Sequence, residues 1–333
     1  LSFIDLAAQN LLSPMVLFFA LGLAAALARS DLSIPESVAK FLALYLMMAI
    51  GFKGGVAVAK SGLDGRLAAA MLAGVVLSAI IPIIGYSLLR ATSRLPAIDA
   101  AAVAAHYGSI SIVTFVAGTQ VVTSLNLPYE GYLVAVAAVM ETPAIMTALL
   151  IANKARQAAA AEGQKVQKGE SFGTLLHEIG LNASVVMLVG AFFIGWITGE
   201  RGMKAVDPLV NGLFFGLICF FLLDMGLVAG RGLRDGLRQL GLPAILFGLY
   251  MPVISALLAA GMCLILGLSP GGAALLITLS ASASYIAVPA AMRLALPEAR
   301  PSIYLTLSLG VTFPFNLTLG IPFYVWLAGL VSR

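Results

Sequence analysis

Residues 106–115 read "HYGSISIVTF". Ser109, Ser111 and Thr114 crowd beside Gly108 inside an otherwise apolar stretch. Residues 280–289, "SASASYIAVP", repeat the theme with Ser280, Ser282 and Ser284. Hydroxyls and glycine in the middle of apolar segments mark places where a membrane helix is interrupted. The surrounding composition agrees. The chain has 333 residues, of which 61% are hydrophobic and only 10% charged, with a mean hydropathy of +1.03. Soluble domains carry about a quarter charged residues, so most of this chain must face lipid or other helices. The apolar runs are about 20 residues long, which suits helices and not the short alternating strands of a barrel. The reading is an all-α polytopic membrane protein.

Apolar windows mark about ten spans: 11–29, 38–59, 67–90, 99–122, 130–153, 179–198, 208–229, 242–267, 271–295 and 302–331. The first lacks a basic lead and a cleavage site behind it, and reads as a retained span. One long polar stretch, residues 154–178, divides the chain into a first half, 1–153, and a second, 179–333. The halves match in order. "LMMAIGFKGG" (46–55) and "FLLDMGLVAG" (221–230) pair Gly51/Gly55 with Gly226/Gly230, and Pro82 answers Pro252. The serine clusters fall in the fourth and ninth spans. "METPAIMTALL" (140–150) and "VTFPFNLTLGI" (311–321) pair Pro143 with Pro314 and Thr147 with Thr318. The expectation is two five-helix repeats, which an odd span number makes inverted.

With both termini outside, 13 of the 19 Lys and Arg, among them Arg90, Lys154, Arg156, Arg231, Arg234, Arg293 and Arg300, fall on the inner side. The other 6, Lys53, Lys60, Arg66, Arg201, Lys204 and Arg333, fall outside. That bias puts the central linker in the cytoplasm. Inverted repeats are the mark of secondary transporters.

The chemistry follows from the interruptions. Half-helix N-termini carry partial positive charge, and Ser and Thr add neutral donors. Gly108, Ser109, Ser111, Thr114, Ser280, Ser282 and Ser284 are therefore expected to line a midplane pocket for a small hydrogen-bonding anion, with Gly108 letting it approach the backbone. Glu141 lies mid-span, two residues before Pro143. Ionisable groups there are expensive and functional. Glu141 with Thr142, and Thr312 and Asn316 from the matching region, are the expected oxygen ligands of a small cation, Na+; the same carboxyl can instead carry a proton. Asp224 reads first as a structural ion pair with Arg231 or Arg234, and His106 as a core histidine, with coupling or gating roles behind these. Lys53 either snorkels or attracts anions at an entrance. Cys219 and Cys263 read as core residues, with no disulfide or resident metal.

Enzyme readings lack support. There is no GxSxG, HExxH, CxxC or phosphate loop in the sequence, and no room for a nucleotide-driven motor. Nothing points to nucleic acid: the formal charge is +4, and the basic residues sit in short connections.

The chain resembles the SbtA-type sodium-dependent bicarbonate transporter superfamily, more closely its non-cyanobacterial branch. The resemblance rests on "IPESVAKF" (34–41), "AIGFKGG" (49–55), "HYGSISIVTF" (106–115), "METPAI" (140–145), "SASYIAVPAAMR" (282–293) and "FPFNLTLGIPFY" (313–324). It implies gate and core domains, a homotrimer in the bacterial inner membrane, and Na+-coupled uptake of bicarbonate between the fourth and ninth spans. Gly108, Ser111, Thr114, Ser282, Ser284, Pro289 and Arg293 match the family's pattern, and Glu141 stands where relatives carry Asp. Cyanobacterial members also bind a PII-like cytoplasmic regulator. Tyr285 departs from the family, replacing an Asp, and Ile112 and Val113 replace smaller residues. The expected function is a sodium-coupled symporter of bicarbonate or a similar small anion. A small organic carboxylate symporter, an anion channel and a sodium/proton antiporter are the alternatives.

Overall fold

In a computed structural model, residues 3–62, 65–161, 183–236, 240–285 and 287–332 are described. Among them every regular element is helical. The first half contains α1 (Phe3–Leu11), α2 (Pro14–Leu27), α3 (Glu36–Ser61), α4 (Gly65–Thr92), α5 (Ala97–Gly108), α6 (Ile112–Ser124) and α7 (Leu133–Ala161). The second contains α8 (Ala183–Asp207), a π-helical turn (Pro208–Gly212), α9 (Phe214–Gly236), α10 (Leu242–Leu266), α11 (Pro270–Ala281), α12 (Ala287–Ala295) and a final rod, α13 (Pro301–Val331). Within α13, π-helical segments at Thr306–Thr312 and Asn316–Gly320 flank Phe313–Phe315.

Seven of these segments are long and apolar enough to cross a membrane, or eight if α1 and α2, bent by 59° to each other, form one span. The expected sixth span, 179–198, ends where α8 has non-helical backbone at Gly199 (φ 54°, ψ −144°), and α8 continues beyond it to Asp207. The expected ninth is split into α11 and α12. The expected linker begins later than its polarity suggests, because α7 continues through Ala161; residues 162–178 lie outside the described residues, as do the side chains of Arg234 and Arg293.

Glycine pairs set the helix contacts. A methyl on Gly51 or Gly55 of α3 would overlap the backbone of α8 at Leu188 and Phe192, and one on Gly195 of α8 would overlap Phe52. The second half does the same: Gly226 of α9 lies on Phe19 of α2, and Gly22 of α2 lies on Leu223. Small residues let membrane helices touch backbone to backbone, where dispersion replaces the missing hydrophobic drive. Accordingly α3 packs along α8, and α9 along α2. A second set joins α4, α5 and α7, and its counterpart joins α10, α11 and α13. Within each set a short alanine-rich helix is enclosed. Asp99–Gly108 of α5 and Gly271–Ala281 of α11 are buried throughout. Large apolar side chains such as Leu72, Ile83, Leu257 and Ile265 point outward from α4 and α10, as a lipid-facing surface requires.

Candidate functional site

The two helix interruptions meet. α5 stops at Gly108, and Ser109 (φ −83°, ψ 169°) turns the chain extended. Ser111 (φ −105°, ψ 109°) then caps α6, its hydroxyl accepting from the Thr114 N–H at 3.2 Å. α11 stops at Ala281, and Ser282 has nearly the backbone of Ser109 (φ −83°, ψ 164°). The Ser111 N–H donates to Ser282 Oγ at 2.8 Å, and the Ser284 N–H donates to the His106 carbonyl at 2.7 Å. The Ser282 hydroxyl in turn donates to the Leu279 carbonyl at 2.7 Å. An interrupted helix frees backbone groups that must find partners when buried, and each break supplies them to the other.

The hydroxyls divide by what remains free. Ser109 Oγ and Thr114 Oγ1 are buried with no hydrogen-bond partner. Ser280 donates to the Leu276 carbonyl of its own helix at 3.0 Å, and Ser284 Oγ accepts from the Val288 N–H at 3.5 Å. α6 and α12 both begin at the crossing, so two helix N-termini, with first-turn amides lacking helical partners, face it. The Tyr285 hydroxyl lies beside Ser111, and its ring packs on Phe313 at 5.1 Å.

Gly108 serves packing. A Cβ there would overlap the Pro82 ring of α4 and come within 2.9 Å of Ala144 Cβ on α7. On the side that a Cβ would take, these two residues cover the Gly108 backbone. Glu141, three residues before Ala144, is about 4.5 Å from that contact along the helix axis. It is 7% exposed, and its Oε2 has no partner. Thr142 beside it is half-buried. Ser78 of α4 donates to the neighbouring Met140 carbonyl. The other expected cation ligands are engaged elsewhere. Thr312 donates to the Gly248 carbonyl at 2.7 Å and meets the Tyr107 hydroxyl at 2.5 Å. Asn316 Nδ2 donates to the Ala281 carbonyl at 2.9 Å while its Oδ1 accepts from Tyr324 at 2.5 Å. Asn316 thus closes the last carbonyl of α11, and both residues sit in or beside the π-helical segments. Among the described residues no group of three His, Cys, Asp or Glu could hold a metal ion.

Of the remaining singled-out residues, His106 is fully buried; its Nδ1–H donates to the Ala102 carbonyl at 2.6 Å, its ring stacks on Tyr304 at 4.5 Å, and Nε2 lacks a partner. Asp224 is buried; Arg231 donates to the Leu32 carbonyl at 2.9 Å and acts on Asp224 from beyond 4 Å, and the side chain of Arg234, its other expected partner, lies outside the described residues. Lys53 Nζ lies 4.0 Å over the Phe214 ring.

Sequence reasoning missed the clamps that fix the half-helices. Asp99, in the first turn of α5, accepts from Arg300 Nη2 at 2.7 Å, Nε at 3.0 Å and the Arg300 N–H at 2.8 Å. Glu130, before α7, accepts from the Ser269 N–H at 2.9 Å and hydroxyl at 3.0 Å at the start of α11. Each loop that enters the last helix of one half therefore holds the half-helix of the other. The cues were the helix-start signals Pro96-x-x-Asp99 and Ser269-Pro270, with carboxylates suited to N-termini. Arg156 adds a third tie, binding Glu298 at 2.7 and 2.8 Å and the Ala295 carbonyl at 3.1 Å. Burial pushes the Glu298 carboxyl up, but the Arg156 hydrogen bonds and charge prevail and hold it below the usual range.

No curated protein matches the chain. A family model does, over residues 14–329, which takes in both interruptions, Glu141 and all three clamps, and it is described as the Na+-dependent bicarbonate transporter superfamily. A match over nearly the whole length, on a multi-pass helical chain with crossed interrupted helices, means that this protein belongs to the Na+-dependent bicarbonate transporter superfamily.

Proposed function

We propose that the chain is a sodium-coupled symporter that imports bicarbonate, or a similar small anion, by alternating access across a bacterial inner membrane. The observation that carries this is that Ser109 Oγ and Thr114 Oγ1 at the crossing, and Glu141 Oε2 on the adjoining α7, are among the buried polar atoms without partners. Buried polar groups are nearly always hydrogen-bonded, so these positions are suited to a ligand that comes and goes. The anion takes the Ser109 and Thr114 hydroxyls and the N-termini of α6 and α12. Sodium takes Glu141, with Thr142 beside it. Each ion favours the binding of the other, because the carboxylate repels an anion until a cation offsets it. Ser282 and Ser284 hold the crossing together, and Ser280 stands apart from the ligand.

The matched packing sets support ten spans arranged as two inverted repeats. In that arrangement α2, α3, α8 and α9 form the gate, and the helices around α5 and α11 form the core. The charge bias puts both termini outside. A proton in place of sodium on Glu141 is the second reading, favoured by its buried carboxyl oxygen Oε2 having no partner among the described residues.

The test is uptake of labelled bicarbonate into proteoliposomes with and without an inward sodium gradient. Sodium-dependent uptake that is lost in Glu141→Gln is expected. Uptake indifferent to sodium but driven by an inward proton gradient would replace the coupling ion. No uptake by correctly folded protein would remove bicarbonate as the substrate.

A further inference from the structure

Between α3, α6 and α9, away from the crossing, lies a part-open cavity of about 360 Å³. Lys53 of α3 and Gln120 of α6 face it from opposite sides, and Phe115 forms part of its lining. Lys53 has no carboxylate within 4 Å among the described residues, and Asp207 acts on it only at longer range. Glu130, the acid in the cavity wall, already accepts two hydrogen bonds from Ser269. The ammonium therefore lines the cavity with no carboxylate in contact with it, while the Glu130 carboxylate is held by Ser269 and the Gln120 amide adds a donor.

We propose that this cavity is a second anion site, a receiving site in which Lys53 and Gln120 hold a small hydrated oxyanion before it reaches the serine crossing. The volume holds about ten waters at about 30 Å³ each, so an anion keeps much of its hydration there. Beside Lys53 itself the ammonium repels a cation and attracts an anion. Phe115 links the two sites. It lines the cavity and is 1% exposed. It follows Thr114 directly and lies one helical turn, about 6 Å, from the Ser111 cap. An anion moving from Lys53 to Ser109 must pass this ring and lose its water. The order of events rests on the substrate and orientation proposed above; the binding of an anion at Lys53 does not.

The experiment is reductive methylation of the full-length protein with formaldehyde and an amine–borane, read by peptide mass spectrometry. Bicarbonate is compared with gluconate at equal ionic strength. Lys60, exposed and paired with Glu200, is the internal control. The expected result is that bicarbonate slows labelling of Lys53 at least fivefold and leaves Lys60 unchanged. In proteoliposomes, Lys53→Met raises the half-saturating bicarbonate concentration about tenfold, and Lys53→Arg brings it back within about twofold. Equal labelling of Lys53 in both anions overturns the site, as does a Lys53 that is not labelled in anion-free protein. Protection at Lys53 in a protein that imports no bicarbonate keeps this site and removes the substrate reading instead.

Discussion

Ser109 and Ser282 occupy the same place in two interrupted helices, with φ of −83° at both and ψ of 169° and 164°. Their chemistry differs. Ser282 accepts from the Ser111 N–H and donates to the Leu279 carbonyl, so its hydroxyl is used on both sides. The Ser109 hydroxyl is buried and unused. The residue before each differs too: Ala281 ends α11, whereas Gly108 ends α5 with the Pro82 ring occupying the place of a side chain. One break is completed by the protein itself, and in the other a buried hydroxyl stays without a partner. Two helix breaks with nearly the same backbone need not leave the same groups free.

The largest expected effect comes from filling the first break. Gly108→Leu forces apart α4, α5 and α7, and overpacking of a close-fitted interior costs about 1–3 kcal/mol or more. The folded yield in detergent, read by size-exclusion chromatography, should collapse. Ala281→Gly at the matching position should cost at most about 1 kcal/mol and leave a monodisperse protein. Equal damage from the two would erase the contrast.

The serines give a sharper separation. Ser282→Ala leaves the buried Ser111 N–H without its acceptor, at a cost of about 1–3 kcal/mol, and should lower the thermal midpoint. Ser109→Ala removes a hydroxyl that has no partner, so stability should hold within about 0.5 kcal/mol while the half-saturating bicarbonate concentration rises about tenfold. If Ser109→Ala lowers the midpoint as much as Ser282→Ala does, the two breaks are alike.

The pH dependence of the Arg156–Glu298 tie comes next. The folded carboxyl is held below its ordinary value. It therefore contributes stability above the unfolded value, about 4.3, and that stability is lost as pH falls through the folded value. Arg156→Met should cost about 2 kcal/mol near neutral pH, and its midpoint should converge on the wild-type midpoint as the pH is lowered below about 4. Curves that stay parallel in thermal unfolding would remove the ion pair as the cause. Ser280→Ala should do least, within about 0.5 kcal/mol and with uptake kept, because its hydroxyl serves only its own helix.

Much of this was legible along the chain. The glycines Gly51, Gly55 and Gly226 lie where one helix meets the backbone of another, and Gly230 lies against Ala26, since a small-residue spacing of four lies on one helix face. The two serine stretches do interrupt their helices, since Ser and Gly give the backbone alternatives to continuing. Glu141 is buried, as its mid-span position led one to expect, and its Oε2 has no partner among the described residues. Other contacts join distant elements and are not legible along the chain. Arg231 donates to the Leu32 carbonyl. Thr312 and Asn316 bond to Gly248, Tyr107, Ala281 and Tyr324. The ties of Asp99 to Arg300 and Glu130 to Ser269 join residues more than a hundred positions apart.

Hydropathy, helix-breaking residues and their order thus determined a polytopic helical protein with two interrupted helices and a buried acid. These are local properties: each depends on a residue and the few beside it. Which hydroxyls are free to bind, and which are used to hold the crossing, only the tertiary structure decided. A serine has the same donor and acceptor wherever it stands, and whether they remain unpaired depends on what the fold brings against them.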